Sequence, residues 1–164
     1  MEKTVVEGWP SGLGAGYRLG PSSGRTGRVL GGRVRVLAAA EHTRGALAVI
    51  EGVFPVGSEV PRHVHQSEDL AVYVLEGELR LCCAGETWVA EAGSFVRLPR
   101  GVPHAGCVVG VRPARVLVLA WPAGVEEVLA ELGASAIDAP RRDRRRLEAI
   151  AAKYHITRPR PPDT

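Results

Sequence analysis

His63 and His65 stand one residue apart in the stretch HVHQSEDLAVYVLEG, which passes through two acids into an apolar run. Side chains on an extended backbone alternate in direction, so residues i and i+2 face the same side. The two imidazoles can therefore share one ligand. Imidazole nitrogen suits zinc, copper, iron and nickel, and the same ring serves as acid or base near neutral pH. A third imidazole, His104, follows the turn LPRGVPH, where Pro99, Gly101 and Pro103 force the backbone round before another apolar run.

The elements that must bring these rings together are short strands. From Gly32 onward the chain reads RVRVLAAA, GALAVIEGVF, EVPRHVH, LAVYVLEGELRLCC, TWVAEAGSFVRLP, HAGCVVG and ARVLVLAWP, most of them separated by glycine or proline. Strands at this spacing without intervening helices predict an all-β antiparallel sandwich or barrel. His63 and His65 end one such strand and His104 opens another. After Pro122 the period changes. Val125, Val128, Leu129 and Leu132 share a helical face, with Gly133 as the expected C-cap. A second helix is expected from about Pro140 to Tyr154, capped by Asp138, with Leu147, Ile150, Ala151 and Tyr154 on one stripe. The expected organisation is a Gly-rich arm over residues 1–31, a β-barrel over 32–122, and a helical extension with a proline-rich tail over 123–164.

Gly57, five residues, His63-x-His65 and later Gly77 resemble the first motif of the cupin superfamily. Gly93, five residues, Pro99-x-Gly101, two residues and His104 resemble the second. Fifteen residues separate Gly77 from Gly93, as in small bacterial cupins. With the surrounding GALAVIEGVFPVGSEVPRHVH and the closing RRLEAIAAKYHITRPRPP, the chain resembles one-domain quercetin dioxygenase-like cupins over roughly residues 32 to 162. The resemblance implies a double-stranded β-helix, the jelly-roll barrel, with two short C-terminal helices and the histidines inside its mouth. It also implies a divalent transition metal on His63, His65 and His104, and a homodimer.

The family's fourth ligand is a glutamate, and counting back from Gly77 that position is Leu70. Val108 likewise stands at the usual asparagine of the second motif. Three readings follow. Three neutral histidines hold the metal alone, leaving open positions for water, dioxygen or substrate. Alternatively Glu68, which shares the parity of Leu70, swings inward as the missing ligand. In the third reading the site is metal-free, and Leu70 and Val72 line an apolar pocket in which the histidines bind or protonate a ligand. Three imidazoles packed without a cation are uncomfortable, since each ring needs partners and protonating one disfavours the next. The expected function is thus that of a metal-dependent, quercetinase-like dioxygenase acting on a small, largely apolar molecule, with iron, nickel, manganese, cobalt, copper or zinc as cofactor and Glu68 and His104 as catalytic candidates. The alternative is a metal-free cupin that binds a small ligand or acts as an isomerase or cyclase.

Other classes are disfavoured. Residues 141 to 164 carry eight Lys/Arg against three Asp/Glu, leaving 13 against 15 elsewhere, so the barrel has no basic face and no nucleic-acid partner is expected. RRDRRR reads as a solvated helix face. GLGAGYRLG fails the dinucleotide fingerprint, with Leu19 in place of its third glycine. No apolar run approaches a membrane span and the first residues carry no signal-peptide pattern, so the expected location is cytoplasmic. Three cysteines, Cys82, Cys83 and Cys107, lack zinc spacing and read as reduced core thiols. Arg62, Arg97 and Arg100 lie near the histidine-bearing turns, where they either bind a substrate carboxylate or are simply solvated. Tyr73 reads as packing, and His42 and His155 as surface residues.

Overall fold

The computed structural model describes residues 16–134 and 144–159 of the 164-residue chain. Ten strands precede the helical segment: β1 Arg25–Val29, β2 Gly32–Ala38, β3 Ala48–Phe54, β4 Glu59–His65, β5 Asp69–Glu76, β6 Glu78–Cys83, β7 Glu86–Glu91, β8 Phe95–Leu98, β9 His104–Val109 and β10 Ala114–Trp121. A short helix α1, Ala40–Thr43, sits between β2 and β3. Helices α2, Val125–Ala134, and α3, Arg144–Lys153, follow, and β11, Ile156–Thr157, closes the described chain. The strands form two antiparallel sheets in the order β1-β2-β3-β10-β5-β8 and β11-β4-β9-β6-β7. This is the jelly roll. Sequence neighbours such as β4 and β5 lie in different sheets, as a fold that wraps two sheets around one core requires.

Alternation decides which face is which. Leu70, Val72 and Val74 of β5, Val116 of β10, and Leu79, Leu81 and Cys83 of β6 all point into one buried cluster, while Tyr73 looks outward. The β5–β6 turn needs its glycine. Gly77 has φ 77°, and a Cβ there would lie 2.5 Å from the Pro113 carbonyl oxygen.

Two expectations change. The Gly-rich arm expected over residues 1–31 ends in a strand, β1, paired with β2 from Arg25↔Val36 to Val29↔Gly32. Leu30 and Gly31, at φ 53° and 76°, make the two-residue hairpin between them, a turn that ordinarily announces itself with Asn-Gly rather than Leu-Gly. Gly133 does not end α2, which continues to Ala134. Asp138 as a helix cap lies outside the described residues, and α3 begins at Arg144. Among the described residues, no helix is long and apolar enough to cross a membrane.

Candidate metal centre

β4 carries His63 and His65 to its end, and β9 starts with His104 as the register partner of His63. The ladder is irregular between Val60 and His63. Beyond it, Gly101 of the LPRGVPH turn donates its N–H to the His65 carbonyl at 2.8 Å, so the two histidine-bearing segments are tied by the backbone. Gly101 has φ 72°, which explains a glycine there. One nitrogen from each of the three rings lies within 4.8 Å of the other two. His65 and His104 stack at 5.6 Å, and His63 meets them edge-on at 5.0 and 4.4 Å. His65 and His104 are 3% and 4% exposed, whereas His63 keeps a solvent-facing edge.

The outer nitrogens show what the inner ones can do. His63 Nδ1 lies 2.8 Å from the Pro61 carbonyl oxygen, and His104 Nδ1 lies 3.0 Å from that of Val102. A carbonyl only accepts, so in each ring Nδ1 is the protonated nitrogen and Nε2 carries the lone pair, a tautomer assigned from the partner's chemistry. His65 Nδ1 faces the Glu68 carboxylate at 3.3 Å, which assigns it the same way. The Nε2 atoms of His63 and His65 then stand 3.1 Å apart, and that of His104 is buried without a partner. Lone pairs at that distance repel unless a cation lies between them. A proton is disfavoured in that role: burial, followed by the nearby His104, pushes the His63 pKa from 6.5 down to about 4, against the pull of the Pro61 carbonyl. Burial, with His65 adding to it, also lowers His104. A metal fits. Three lone-pair-bearing imidazole nitrogens lie within 4.8 Å of one another, and each outer N–H is held as metal-binding histidines require.

The remaining candidates sort cleanly. Leu70 lies in the packed core, paired with Leu98 and Ala120, and Val72 is buried two residues further along the same inner face. Glu68 is buried, but its carboxylate meets the outer nitrogen of His65 and does not join the converging ring nitrogens. Arg97 and Arg100 both bind Asp69, at 3.1 and 3.0 Å, so their guanidinium groups are engaged with that carboxylate. Arg62 is exposed. His155 is exposed as expected, but His42 is not a surface group. Its side chain is 6% exposed, and its Nδ1 accepts the Ala39 N–H at 3.1 Å. Cys83 is buried in the core, as expected of a core thiol, and the register also sets it directly opposite His104. Strand parity alone could not show this, because it does not say which residues of distant strands pair.

The family model of the Cupin domain matches residues 50–120, the span that holds both histidine segments. That span is a cupin domain. Similarity to curated proteins is local. The chain is 35% identical over 49 residues to quercetin 2,3-dioxygenase of Bacillus subtilis, covering 30% of this chain and 14% of that protein. It is 27% identical over 75 residues to an uncharacterized protein of Methanocaldococcus jannaschii, covering 46% of this chain and 60% of that one. The match therefore spans less than two thirds of either relative. Among solved structures, an RmlC-like cupin from Shewanella frigidimarina superposes with TM-score 0.60 at 19% identity, covering 69% of this chain and 96% of that one. At that identity the likeness establishes the jelly roll and nothing finer.

Proposed function

We propose that this protein is a metal-dependent, quercetinase-like dioxygenase that acts on a small, largely apolar molecule, with a divalent transition metal held by His63, His65 and His104. One observation carries the metal assignment: three imidazoles whose outer nitrogens are occupied bring one ring nitrogen each to within 4.8 Å of the other two. The local similarity to a quercetin dioxygenase supports the reaction class.

The chain's own residues do most of the work. The Pro61 and Val102 carbonyls fix the orientation of His63 and His104, so little ordering remains to be done on binding. Leu70 and Val72 are buried and apolar where the family pattern has a carboxylate at position 70, which favours a largely apolar substrate. His63, the partly exposed ring, marks the side from which substrate approaches. A bound divalent ion supplies Lewis acidity at an enol, phenol or carbonyl oxygen.

Leu70 in the ligand position favours a second reading, a metal-free pocket with isomerase or cyclase activity through His104 or His65. Metal analysis of protein purified without an affinity tag separates the two. About one metal per chain supports the metal site; less than about a tenth, unrestored by added iron, nickel, manganese, cobalt, copper or zinc, removes it. Oxygen uptake with a panel of flavonols then tests the reaction class.

A further inference from the structure

We infer that Glu68 is a positioning residue: standing two places before the family's ligand position, its carboxylate holds His65 from behind and keeps the Nε2 lone pair turned toward the other rings. The inference rests on the metal reading above and adds a role for a residue that the motif does not assign.

The geometry is specific. Glu68 Oε2 lies 3.3 Å from His65 Nδ1, across the bend formed by Gln66 and Ser67. Both side chains are buried, at 9% and 4% exposure, so the pair is poorly screened by solvent. The bend itself is pinned on both sides. Gln66 donates its N–H to the His155 carbonyl at 3.1 Å and its side-chain amide to Thr157 Oγ1 at 3.2 Å, which anchors it to the β11 segment. Asp69, the next residue after Glu68, accepts from the Arg100 backbone N–H at 3.2 Å and from the Arg97 and Arg100 guanidinium groups. A carboxylate delivered by so constrained a loop is placed rather than incidental.

Room for it comes from far along the chain. A Cβ on Gly124 would lie 3.0 Å from Glu68 Oε1, so the glycine that precedes α2 leaves the space the carboxylate occupies. A ring that donates Nδ1–H to a carboxylate is a stronger donor at Nε2 and cannot turn its protonated nitrogen inward. Negative charge that the motif places on the metal is here placed one ring behind it. Glu68 so used is neither a metal ligand nor an acid or base that touches substrate.

The test uses the full chain and two readouts. Competition with a chelator for Zn2+ and Co2+ should show Glu68→Gln binding about 10- to 100-fold more weakly than wild type. In metal-free protein, long-range 1H–15N NMR should find His65 protonated at Nδ1 in wild type, and at Nε2 or in a mixture of the two in Glu68→Ala. An unchanged His65 tautomer in folded Glu68→Ala, or a Glu68→Gln affinity within about twofold of wild type, overturns the role. Failure of wild type to bind either ion removes the metal reading instead, and the tautomer measurement still judges Glu68 without it.

Discussion

Cys83 and His104 face each other across the β6–β9 ladder as register partners, both buried. Paired residues point to the same side of a sheet, with Cβ atoms about 4.5–5.5 Å apart, so the thiol belongs to the wall next to the histidine cluster. Burial, followed by the neighbouring Cys82, raises the Cys83 pKa and keeps it a thiol. Iodoacetamide should therefore modify the half-buried Cys82 and Cys107 at least about tenfold faster than Cys83 in native protein, with the difference vanishing in denaturant. Peptide mapping by mass spectrometry measures it. Equal rates would place Cys83 in contact with solvent and away from this wall.

The metal-free protein should lose stability as pH falls from about 6.5 toward 4. The sign follows from proton counting. With the folded pKa of His63 depressed from 6.5 to about 4, the unfolded chain binds a proton in that window while the folded chain does not, so acid favours unfolding. His104, lowered in the same direction by burial, adds to the effect. Urea midpoints measured at pH 7.5 and pH 5 on chelator-treated protein check it, and His63→Phe should flatten the dependence.

The histidine pair was legible because period-two alternation needs only local extension, and His104 because Pro99, Gly101 and Pro103 mark its turn. The role of Glu68 was not legible. Parity put it on the side of Leu70, but its partner was decided by the bend at Gln66 and Ser67 and by space left at Gly124, 56 residues away in sequence. Glu126 shows the same limit. It lies off the apolar face that Val125, Val128 and Leu129 mark in α2, yet it is fully buried, accepting the Ala40 N–H at 2.8 Å and the Gly124 N–H at 2.7 Å. β1 was hidden for a different reason. Its ladder with β2 is local but closed by a Leu-Gly turn without the usual Asn-Gly signal, and the segment before it is tied down by Arg35, whose guanidinium bonds the carbonyls of Gly20, Pro21 and Ser23.

Arg35 also binds Glu51, at 2.8 Å from Nε, and Arg115 bonds the other carboxylate oxygen at 2.7 Å. Burial alone would raise the Glu51 pKa, but the hydrogen bonds from Arg115 and Arg35 outweigh it and hold the carboxyl below its ordinary range. That stability is present above the ordinary carboxylate pKa and is lost as pH falls through the lowered folded value. Arg35→Ala should cost about 3 kcal/mol at pH 7, raise the pH of acid unfolding, and speed proteolysis within residues 16–24. Thermal melts and limited proteolysis provide the check. Unchanged cleavage would mean that the lead-in is held by something other than this guanidinium.

Leu70→Glu separates the metal reading from its rival, because the substitution restores the family's fourth ligand at a position that is 5% exposed. Without metal, the new carboxylate is an unpaired charge in the core and should destabilise the fold by about 3–5 kcal/mol. With three histidines already converging, that charge has a destination. Added Zn2+ or Co2+ should recover the lost thermal stability, and binding should be tighter than in wild type, by an increment that competition with a chelator can measure. In a metal-free pocket the same variant is destabilised and no added ion rescues it. The contrast is sharper than removal of a histidine, since losing a ligand and losing a packed ring both weaken the protein, whereas only a metal site turns a buried carboxylate into a gain.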